Sequence, residues 1–162
     1  MKQEVKKMYR AVDTVGLEMS VKMSRIAKFA HNKAGDTYGG RPYDYHLQHV
    51  ALEVGELVGY DDPYYHLYQI VAYGHDLFED TDVDAEYLHS KGFSEIVTDA
   101  IKALTKRKGE RRIDYIKRVQ ENPIARKVKI ADSLSNLTHS VRDGDRRRIS
   151  KYTANLRELH YV

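Results

Sequence analysis

The chain has no cysteine, and this absence excludes several kinds of chemistry. Without a thiol there is no disulfide framework, no thiolate metal site and no cysteine nucleophile. The apolar runs are only a few residues long, so none of them can cross a membrane. The first residues, Met1–Lys7, are polar and lack the apolar region of a secretory signal. We therefore expect a cytoplasmic protein with no membrane partner.

The chain also lacks a strong excess of one charge. Lysine and arginine total 27 against 24 acidic residues, a net charge of +3 that makes no strong case for a nucleic-acid partner. Hydrophobic residues make up 41% of the 162 residues and charged residues 31%, which is typical of a globular protein. We expect one domain, 1–162, with a real hydrophobic core. Nothing in the sequence indicates an oligomeric state.

Proline is rare, with three residues, and most windows of the chain show the spacing of an amphipathic helix. No window shows sustained strand alternation, so the predicted class is all-α. The first helix is expected at about Val15–Lys33, followed by a glycine-rich loop at 34–42. Its inward residues are expected to be Leu17, Val21, Ile26 and Phe29. Further helices are expected at about 43–58, from the Asp61-Asp62-Pro63 cap to His75, and at 84–90, 94–104, 111–120, 123–141 and 147–159.

The dipeptide His75-Asp76 ends a short apolar run and is the first candidate for chemistry. An ionised carboxylate in an apolar setting costs several kcal/mol unless a partner neutralises it. A divalent metal is a suitable partner for a carboxylate beside a neutral imidazole. In this interpretation His75 and Asp76 bind a metal, and Glu79 and Asp80 orient water. The alternative is a negatively charged helix exit that is capped by Thr81.

Asp132 is the second candidate, because it lies in the middle of a predicted helix among apolar neighbours. Asn136 follows one turn later, so both side chains point the same way. A carboxylate in this setting needs a partner. That partner is either the metal or, in the simpler alternative, a lysine or arginine.

The eight histidines supply further candidates. His46 and His49 are three residues apart on one predicted helix, so either can face a metal. His139 lies on the same stripe as Asp132 and is a fallback ligand, whereas His31 either contacts substrate or caps the first helix. Two histidines and two aspartates with open positions suit Mn, Fe, Ni or Zn. Such a metal lowers the pKa of a bound water and so activates it for attack on phosphorus.

Five short runs between about residue 25 and residue 140 carry a resemblance to a known family. They are Ala30-His31, Pro42-Tyr43-Asp44-Tyr45-His46, His75-Asp76-Leu77-Phe78-Glu79-Asp80-Thr81, Leu104-Thr105-Lys106 and Lys129-Ile130-Ala131-Asp132-Ser133-Leu134-Ser135-Asn136. The chain resembles the HD superfamily of metal-dependent phosphohydrolases. More narrowly, it is similar to the (p)ppGpp hydrolase domain of alarmone synthetase/hydrolases and to small alarmone hydrolases.

This resemblance implies a compact helical bundle with a central metal site. The implied cofactor is Mn²⁺, and the implied reaction removes pyrophosphate from the ribose 3′ position of guanosine tetra- or pentaphosphate. It places Glu79 and Asp80 at the water nucleophile and Asn136 near the nucleotide. The family intervals prefer His46 to His49 as a ligand. The implied metal ligands are His46, His75, Asp76 and Asp132.

The resemblance is weaker in the segment that contacts the nucleotide base in family members. Family members carry an Arg-Lys type of pair before a Ser-Gly-Glu-Pro-Tyr run, whereas residues 36–43 here read Asp-Thr-Tyr-Gly-Gly-Arg-Pro-Tyr. We expect Tyr38 to stack on the base and Arg41 to contact it. Lys106 and Arg107 lie in a basic segment that suits a phosphate-contacting loop, or else a solvated linker.

Two alternatives to this function follow from the sequence. The altered base-side loop is compatible with another nucleotide substrate, such as NADPH or a deoxynucleotide. The basic residues 146–148 are compatible with a non-catalytic nucleotide sensor or interaction module that keeps only the fold. The presence of all four ligand positions favours an enzyme.

Overall fold

A computed structural model describes the backbone of residues 2–162 and the side chains from Val15 onward. The predicted all-α class is confirmed. The helices are α1 Lys2–Ala34, α2 Asp44–Val58, α3 Tyr65–Gly74, α4 Leu77–Asp80, α5 Ala85–Ser90, α6 Glu95–Leu104, α7 Arg112–Glu121, α8 Pro123–Arg142 and α9 Arg146–Glu158. Most of these boundaries lie close to the predicted ones. The exceptions are α1, which begins well before residue 15, and α4, which was not predicted as a separate helix.

Side-chain caps explain why several helices begin where they do. The carboxylate of Asp84 accepts a hydrogen bond from a first-turn backbone N–H of α5, and Asp145 does the same for α9. Asn122 accepts two such bonds at the start of α8, where Pro123 occupies the first helical position. These residues satisfy N–H groups that have no partner within the helix, which fixes the starting points of α8 and α9 beside the site.

Helix α3 lies at the centre of the bundle, where it packs against α1 and α2, while α8 packs against α2 and α9. The approach of α3 to α1 and α6 is close at Gly74, the last residue of α3. A Cβ atom there would lie 2.8 Å from Cδ1 of Ile101 and 3.2 Å from Sδ of Met23. Only glycine fits this position without displacing neighbours, and the next residue is His75.

The predicted inward face of the first helix is wrong for three of its four residues, whereas Ile26 packs against the core. Leu17, Val21 and Phe29 are exposed by 54%, 42% and 73%, and Ile26 is only partly buried. The buried face is the neighbouring stripe, which consists of Ser20, Met23, Ala27, Ala30 and His31. Both stripes have helical spacing, but small and unbranched side chains allow the close approach of α1 to α3 that the larger residues would prevent.

The glycine-rich segment, predicted as a loop, contains a short antiparallel hairpin of β1 Thr37–Tyr38 and β2 Arg41–Pro42. Its two turn residues, Gly39 and Gly40, both have positive φ, at 57° and 77°. A two-residue turn of this kind matches the twist of the strands and strongly favours glycine. The hairpin thereby fixes the position of Tyr38.

Along residues 2–162, no helix combines the length and the apolar character that crossing a membrane requires.

Candidate metal centre

Three parts of the fold bring the four predicted ligands together. His46 projects from α2, His75 and Asp76 lie at the junction of α3 and α4, and Asp132 projects from α8. His75 Nε2 lies 2.9 Å from Asp76 Oδ2 and 3.9 Å from Asp132 Oδ1. His46 Nε2 lies 3.2 Å from Asp132 Oδ1 and 3.9 Å from Asp76 Oδ2. One ligand atom from each of His46, His75 and Asp76 falls within 4.8 Å of the others.

The hydrogen bonding of His75 defines which ring nitrogen faces the cluster. Its Nδ1 lies 2.7 Å from the carbonyl oxygen of Ala72, which can only accept a hydrogen bond, so Nδ1 carries a proton. The Nε2 atom is buried, has no hydrogen-bond partner among the described residues and faces the carboxylates. In a neutral ring this atom presents a lone pair. A backbone carbonyl that fixes the imidazole in this way is typical of metal-binding histidines.

Packing and one hydrogen bond orient His46 and Asp76. The ring of Tyr38 stacks on His46 with centroids 4.6 Å apart, and Tyr43 meets His46 edge-on at 5.6 Å. The hydroxyl of Tyr43 donates to Asp76 Oδ2 over 2.6 Å. Burial, together with the neighbouring Asp76, raises the pKa of Tyr43, so its hydroxyl remains a donor. Tyr43 was not predicted to act in the site, although it precedes His46 by three residues.

Asp132 has the lysine partner of the simpler alternative, and its second oxygen faces the two imidazoles of the candidate metal centre. Its Oδ2 accepts from Lys129 Nζ over 2.8 Å, while Oδ1 accepts from Asn136 Nδ2 over 2.6 Å and faces the two imidazoles. Burial opposes the charge, but Lys129 and His46 outweigh it and hold the pKa of Asp132 well below its ordinary value. The carboxylate is therefore ionised, and Lys129 holds it in place.

The electrostatics of the cluster suit a cation. Burial alone would raise the pKa of Asp76, but the adjacent His75 outweighs it and lowers the pKa. For His75 itself, burial favours the neutral ring, but Asp76 raises the pKa to about 9. The metal-free cluster therefore needs a proton between two ionised carboxylates. A divalent cation would take the place of that proton, and the mixed nitrogen and oxygen donors fit Mn, Fe, Ni or Zn.

Two cavities of about 250 Å³ each open onto the cluster. We call the first the α7 arm; it contains Glu79, Lys106, Arg112, Tyr115 and Ile116 beside the ligands His75 and Asp76. We call the second the hairpin arm; it contains Tyr38, Tyr43, Asn136, Arg148 and Tyr152 beside the ligands His46, Asp76 and Asp132. Lys129, Lys151 and Asn155 line both arms. The two cavities adjoin at the candidate ligand Asp76, which lines both, and we call them together the trough.

The two predicted catalytic carboxylates differ in whether they reach the trough. Glu79 lines the α7 arm, and its Oε2 accepts from the backbone N–H of Lys106 over 3.2 Å. Asp80 lines a separate cavity of about 680 Å³ against α1, which Glu79 also lines. Burial and the charges of Asp76 and Glu79 raise the pKa of Asp80 to about 6. Of the two, only Glu79 faces the trough.

Of the six predicted substrate-binding residues, three line the trough and three do not. Tyr38, Asn136 and Lys106 line the trough, whereas His31, Arg41 and Arg107 do not. His31 is fully buried, with Nδ1 2.7 Å from Asp36 Oδ2, and it stacks on Tyr43 at 4.3 Å. Arg41 covers the ring of Tyr45 at 4.5 Å. The exposed Arg107 donates its backbone N–H to Glu110.

The remaining candidate histidines lie outside the cluster. His49 and His139 meet edge-on, with ring centroids 5.1 Å apart, and His139 Nδ1 donates to the carbonyl of Ser135. Between His46 and His49 on α2, it is His46 that faces Asp76 and Asp132. Sequence reasoning did not select Arg148, Lys151 and Tyr152 individually, because their role in the trough depends on how α9 folds back on α8.

Together, the fold and this site define an all-helical protein with a candidate metal centre of two histidines and two aspartates. No protein-family model matches the chain, and no curated protein matches it.

Proposed function

We propose that this chain is a metal-dependent phosphohydrolase that removes the 3′-pyrophosphate from guanosine tetra- or pentaphosphate. The observation that carries the proposal is the convergence of His46, His75, Asp76 and Asp132 in a cation-lined trough. A bundle with ligands from distant helices matches what the family resemblance implies. Such a nucleotide is intracellular, in accord with the cytoplasmic location expected from the sequence.

We assign a separate role to each group of residues in the candidate centre. His46, His75, Asp76 and Asp132 would hold the cation, proposed to be Mn²⁺, which would activate water and offset charge on the phosphoryl oxygens. Tyr43 holds the carboxylate of Asp76, and Lys129 holds that of Asp132.

Glu79 is the predicted catalytic carboxylate that lines the trough, and its carboxylate is proposed to accept the proton of the attacking water. Water adds across the bond between O3′ and phosphorus. The products are pyrophosphate and a nucleotide with a free 3′-hydroxyl. Lysine and arginine side chains along the trough would stabilise the charge that develops on phosphate.

The direct test is release of pyrophosphate from ppGpp by purified protein supplied with Mn²⁺. His46→Ala and His75→Ala are expected to abolish turnover, because each removes a proposed ligand. His49→Ala is the matched control, since it removes an imidazole one turn along α2 outside the cluster, and it should retain activity. Equal turnover by all three variants, or none by metal-loaded wild type, would reject the proposal.

A second candidate function keeps the active site but changes the substrate, so that the protein would be a nucleotide phosphatase acting on a 2′- or 3′-phosphate. The hairpin arm contains the carboxamides of Asn136 and Asn155. Both ends of the Asn136 amide already form hydrogen bonds within the protein. Its Nδ2 donates to Asp132, and its Oδ1 accepts from the hydroxyl of Tyr38 over 2.8 Å. The hairpin arm therefore presents aromatic rings for stacking, but few unpaired polar groups that could form hydrogen bonds with the edge of a guanine base. This favours a substrate such as NADPH or a deoxynucleotide.

A panel of ppGpp, NADPH and deoxynucleotides, assayed side by side, separates the two candidates. Preference for ppGpp supports the first, and preference for an adenine or deoxynucleotide substrate supports the second. Protein that binds no divalent metal and turns over nothing in the panel would instead match the non-catalytic module.

A further inference from the structure

Three large apolar side chains that α1 leaves exposed line a groove on the outside of the bundle. They are Leu17, Val21 and Phe29, of which Phe29 is 73% exposed. Two adjoining cavities of about 680 and 630 Å³ run beside them and share Ile26 and Tyr87. We call the two cavities together the α1 groove. Contiguous exposed apolar surface with a charged rim is typical of a protein–protein interface.

The two walls of the α1 groove run in opposite directions along the chain. One wall lies within residues 17–34 of α1 and the other within residues 79–91. Lys33 Nζ lies 3.5 Å from Asp82 Oδ2 at one end, and Lys22 Nζ donates to the carbonyl oxygen of Lys91 over 2.6 Å at the other. At a rise of 1.5 Å per residue the groove is about 25 Å long, enough for about five turns of a docked helix.

The two ends of the α1 groove carry opposite net charges. The acidic end has three carboxylates and one ammonium group, which belong to Glu79, Asp80, Asp82 and Lys33. The basic end has two ammonium groups and one carboxylate, which belong to Lys22, Lys91 and Glu18. Such a groove is complementary to an antiparallel copy of itself, because a two-fold axis places each end against the opposite end of the other copy. Charge complementarity therefore favours a second copy of the chain as the occupant.

An antiparallel arrangement centred on the middle of the groove also pairs its apolar residues. Arg25 lies where the two cavities meet. Val21 and Phe29 lie one turn to either side of Arg25, so Val21 of each copy comes opposite Phe29 of the other. The two guanidinium groups of Arg25 meet near the axis, where each can stack on a ring of Tyr87. This pairing buries the stripe that the fold of one copy leaves exposed.

We propose that the α1 groove is the interface of a homodimer, in which the α1 helices of two copies pack antiparallel across a two-fold axis. Each copy would place Val21 and Phe29 in the groove of the other and so remove the exposed apolar surface of α1 from water. The dimer does not rest on the function proposed above, because none of the four candidate metal ligands lines the groove.

The test is sedimentation velocity of the full chain over a range of protein concentrations, which gives the mass in solution and the Kd of the dimer. Wild type should sediment with twice the mass of one chain. Phe29→Glu should raise the Kd at least about 30-fold, because each dimer loses two buried aromatic anchors and gains two charges in the interface. Leu52→Glu is the matched control, since Leu52 is 61% exposed on α2 outside the groove, and it should dimerise as wild type does.

A charge exchange tests the antiparallel arrangement itself. Asp82→Lys and Lys91→Glu each place like charges at facing ends of the two grooves and should raise the Kd about fivefold or more. The double variant restores opposite charges at both ends and should recover most of the lost affinity at low salt. Both side chains are exposed, so the variants should fold, and circular dichroism verifies this.

Wild type that stays monomeric up to millimolar concentration would overturn the proposal and leave the groove to another occupant. Equal effects of Phe29→Glu and Leu52→Glu, or a double variant no tighter than the two single ones, would overturn it as well. His75→Ala should dimerise as wild type does, so that failure of the metal centre and failure of the dimer are distinguished.

Discussion

At the scale of single residues, the candidate centre depends on groups that hold its ligands. Ala72 fixes the ring of His75, Lys129 holds Asp132, and Tyr43 holds Asp76. Such supporting bonds raise the affinity of a site for metal, because the ligands need no reordering when the cation binds. The sequence indicated the ligands more clearly than these supports.

Tyr43→Phe tests one such support. Removing the hydroxyl deletes the 2.6 Å bond to Asp76 and should weaken Mn²⁺ binding by roughly 10- to 100-fold, the usual cost of losing an outer partner of a ligand. Titration followed by electron paramagnetic resonance of free Mn²⁺ measures this. Tyr60→Phe is the control, since it removes a tyrosine-carboxylate bond of 2.8 Å to Glu56 on the surface. Identical affinities in the two variants would contradict the role of Tyr43.

Three of the four candidate ligands could be selected from the sequence because they stand in local patterns. His75-Asp76 ends an apolar run, and Asp132 interrupts a buried helix face. Helical spacing alone left His46 and His49 open, the family resemblance preferred His46, and the fold places His46 beside the aspartates. Tyr38 and Arg41 were predicted together and pair across the hairpin, but Tyr38 stacks on His46 whereas Arg41 covers Tyr45, a difference that depends on how the hairpin packs on α2.

At the scale of elements, the end of α3 determines where His75 lies. Gly74→Ala would place a Cβ atom 2.8 Å from Ile101 and 3.2 Å from Met23, both fully buried. We expect this variant to lose about 1–3 kcal/mol of unfolding free energy, the typical cost of overpacking. Urea denaturation measures the loss.

Gly55→Ala provides the comparison for Gly74→Ala. Its Cβ atom would meet only the side-chain ends of Gln69 and Tyr65, at 3.2 and 3.3 Å, and alanine favours the helix. It should therefore be the less destabilised variant. A larger loss for Gly55→Ala than for Gly74→Ala would show that the packing of α3 against α6 is not tight.

The connection between α6 and α7 should carry a pH-dependent contribution to stability. Arg118 binds the carboxylate of Glu110 at 3.0 and 2.7 Å and also donates to three carbonyl groups at the end of α6. The bond from Arg118, with one from the backbone of Arg107, lowers the pKa of Glu110 from 4.5 to about 2. This contribution is therefore complete above about pH 5 and is lost as the pH falls through 4.5 toward 2.

Glu110→Gln removes the charge and should lower the thermal midpoint at pH 7. The difference from wild type should shrink steadily when both proteins are unfolded at pH 5, 4 and 3. A difference that is independent of pH would mean that the ion pair does not contribute to stability.

Prediction of the elements succeeded where caps and loops mark helix ends and failed for the face of α1. Two stripes of α1 have helical spacing, and the more hydrophobic one lies outward. Which stripe faces inward depends on the neighbour. The close contact at Gly74 admits only small or unbranched side chains, and no periodicity in α1 itself contains that information.

At the scale of the whole molecule, the candidate centre joins α2, the α3–α4 junction and α8, which are distant along the chain. A cation bound by all three would stabilise the folded state over the unfolded one. At one hundred times its dissociation constant, Mn²⁺ should add about 2.7 kcal/mol. For a chain of this length that corresponds to a rise of roughly 5–10 °C in the thermal midpoint.

Chelator should reverse this rise, because it removes the bound cation. His49→Ala should show the same rise as wild type, and His75→Ala should show little or none. A rise of equal size in His75→Ala would place the stabilising cation elsewhere on the protein.

The organisation of the trough is a property of the whole fold that local patterns could not supply. The α7 arm needs Lys106 from one loop, Arg112 from α7 and Lys151 from α9. The basic segments were visible in the sequence, but only the packing of α9 on α8 shows which cations face the ligands and which face solvent.

The most direct test of the account is the metal content of protein purified without chelator, measured by inductively coupled plasma mass spectrometry. Wild type and His49→Ala should each carry about one divalent transition metal per chain, and folded His75→Ala should carry almost none. Wild type without metal that also fails to take up Mn²⁺, or His75→Ala with wild-type metal content, would contradict the proposal that these four side chains form a metal centre.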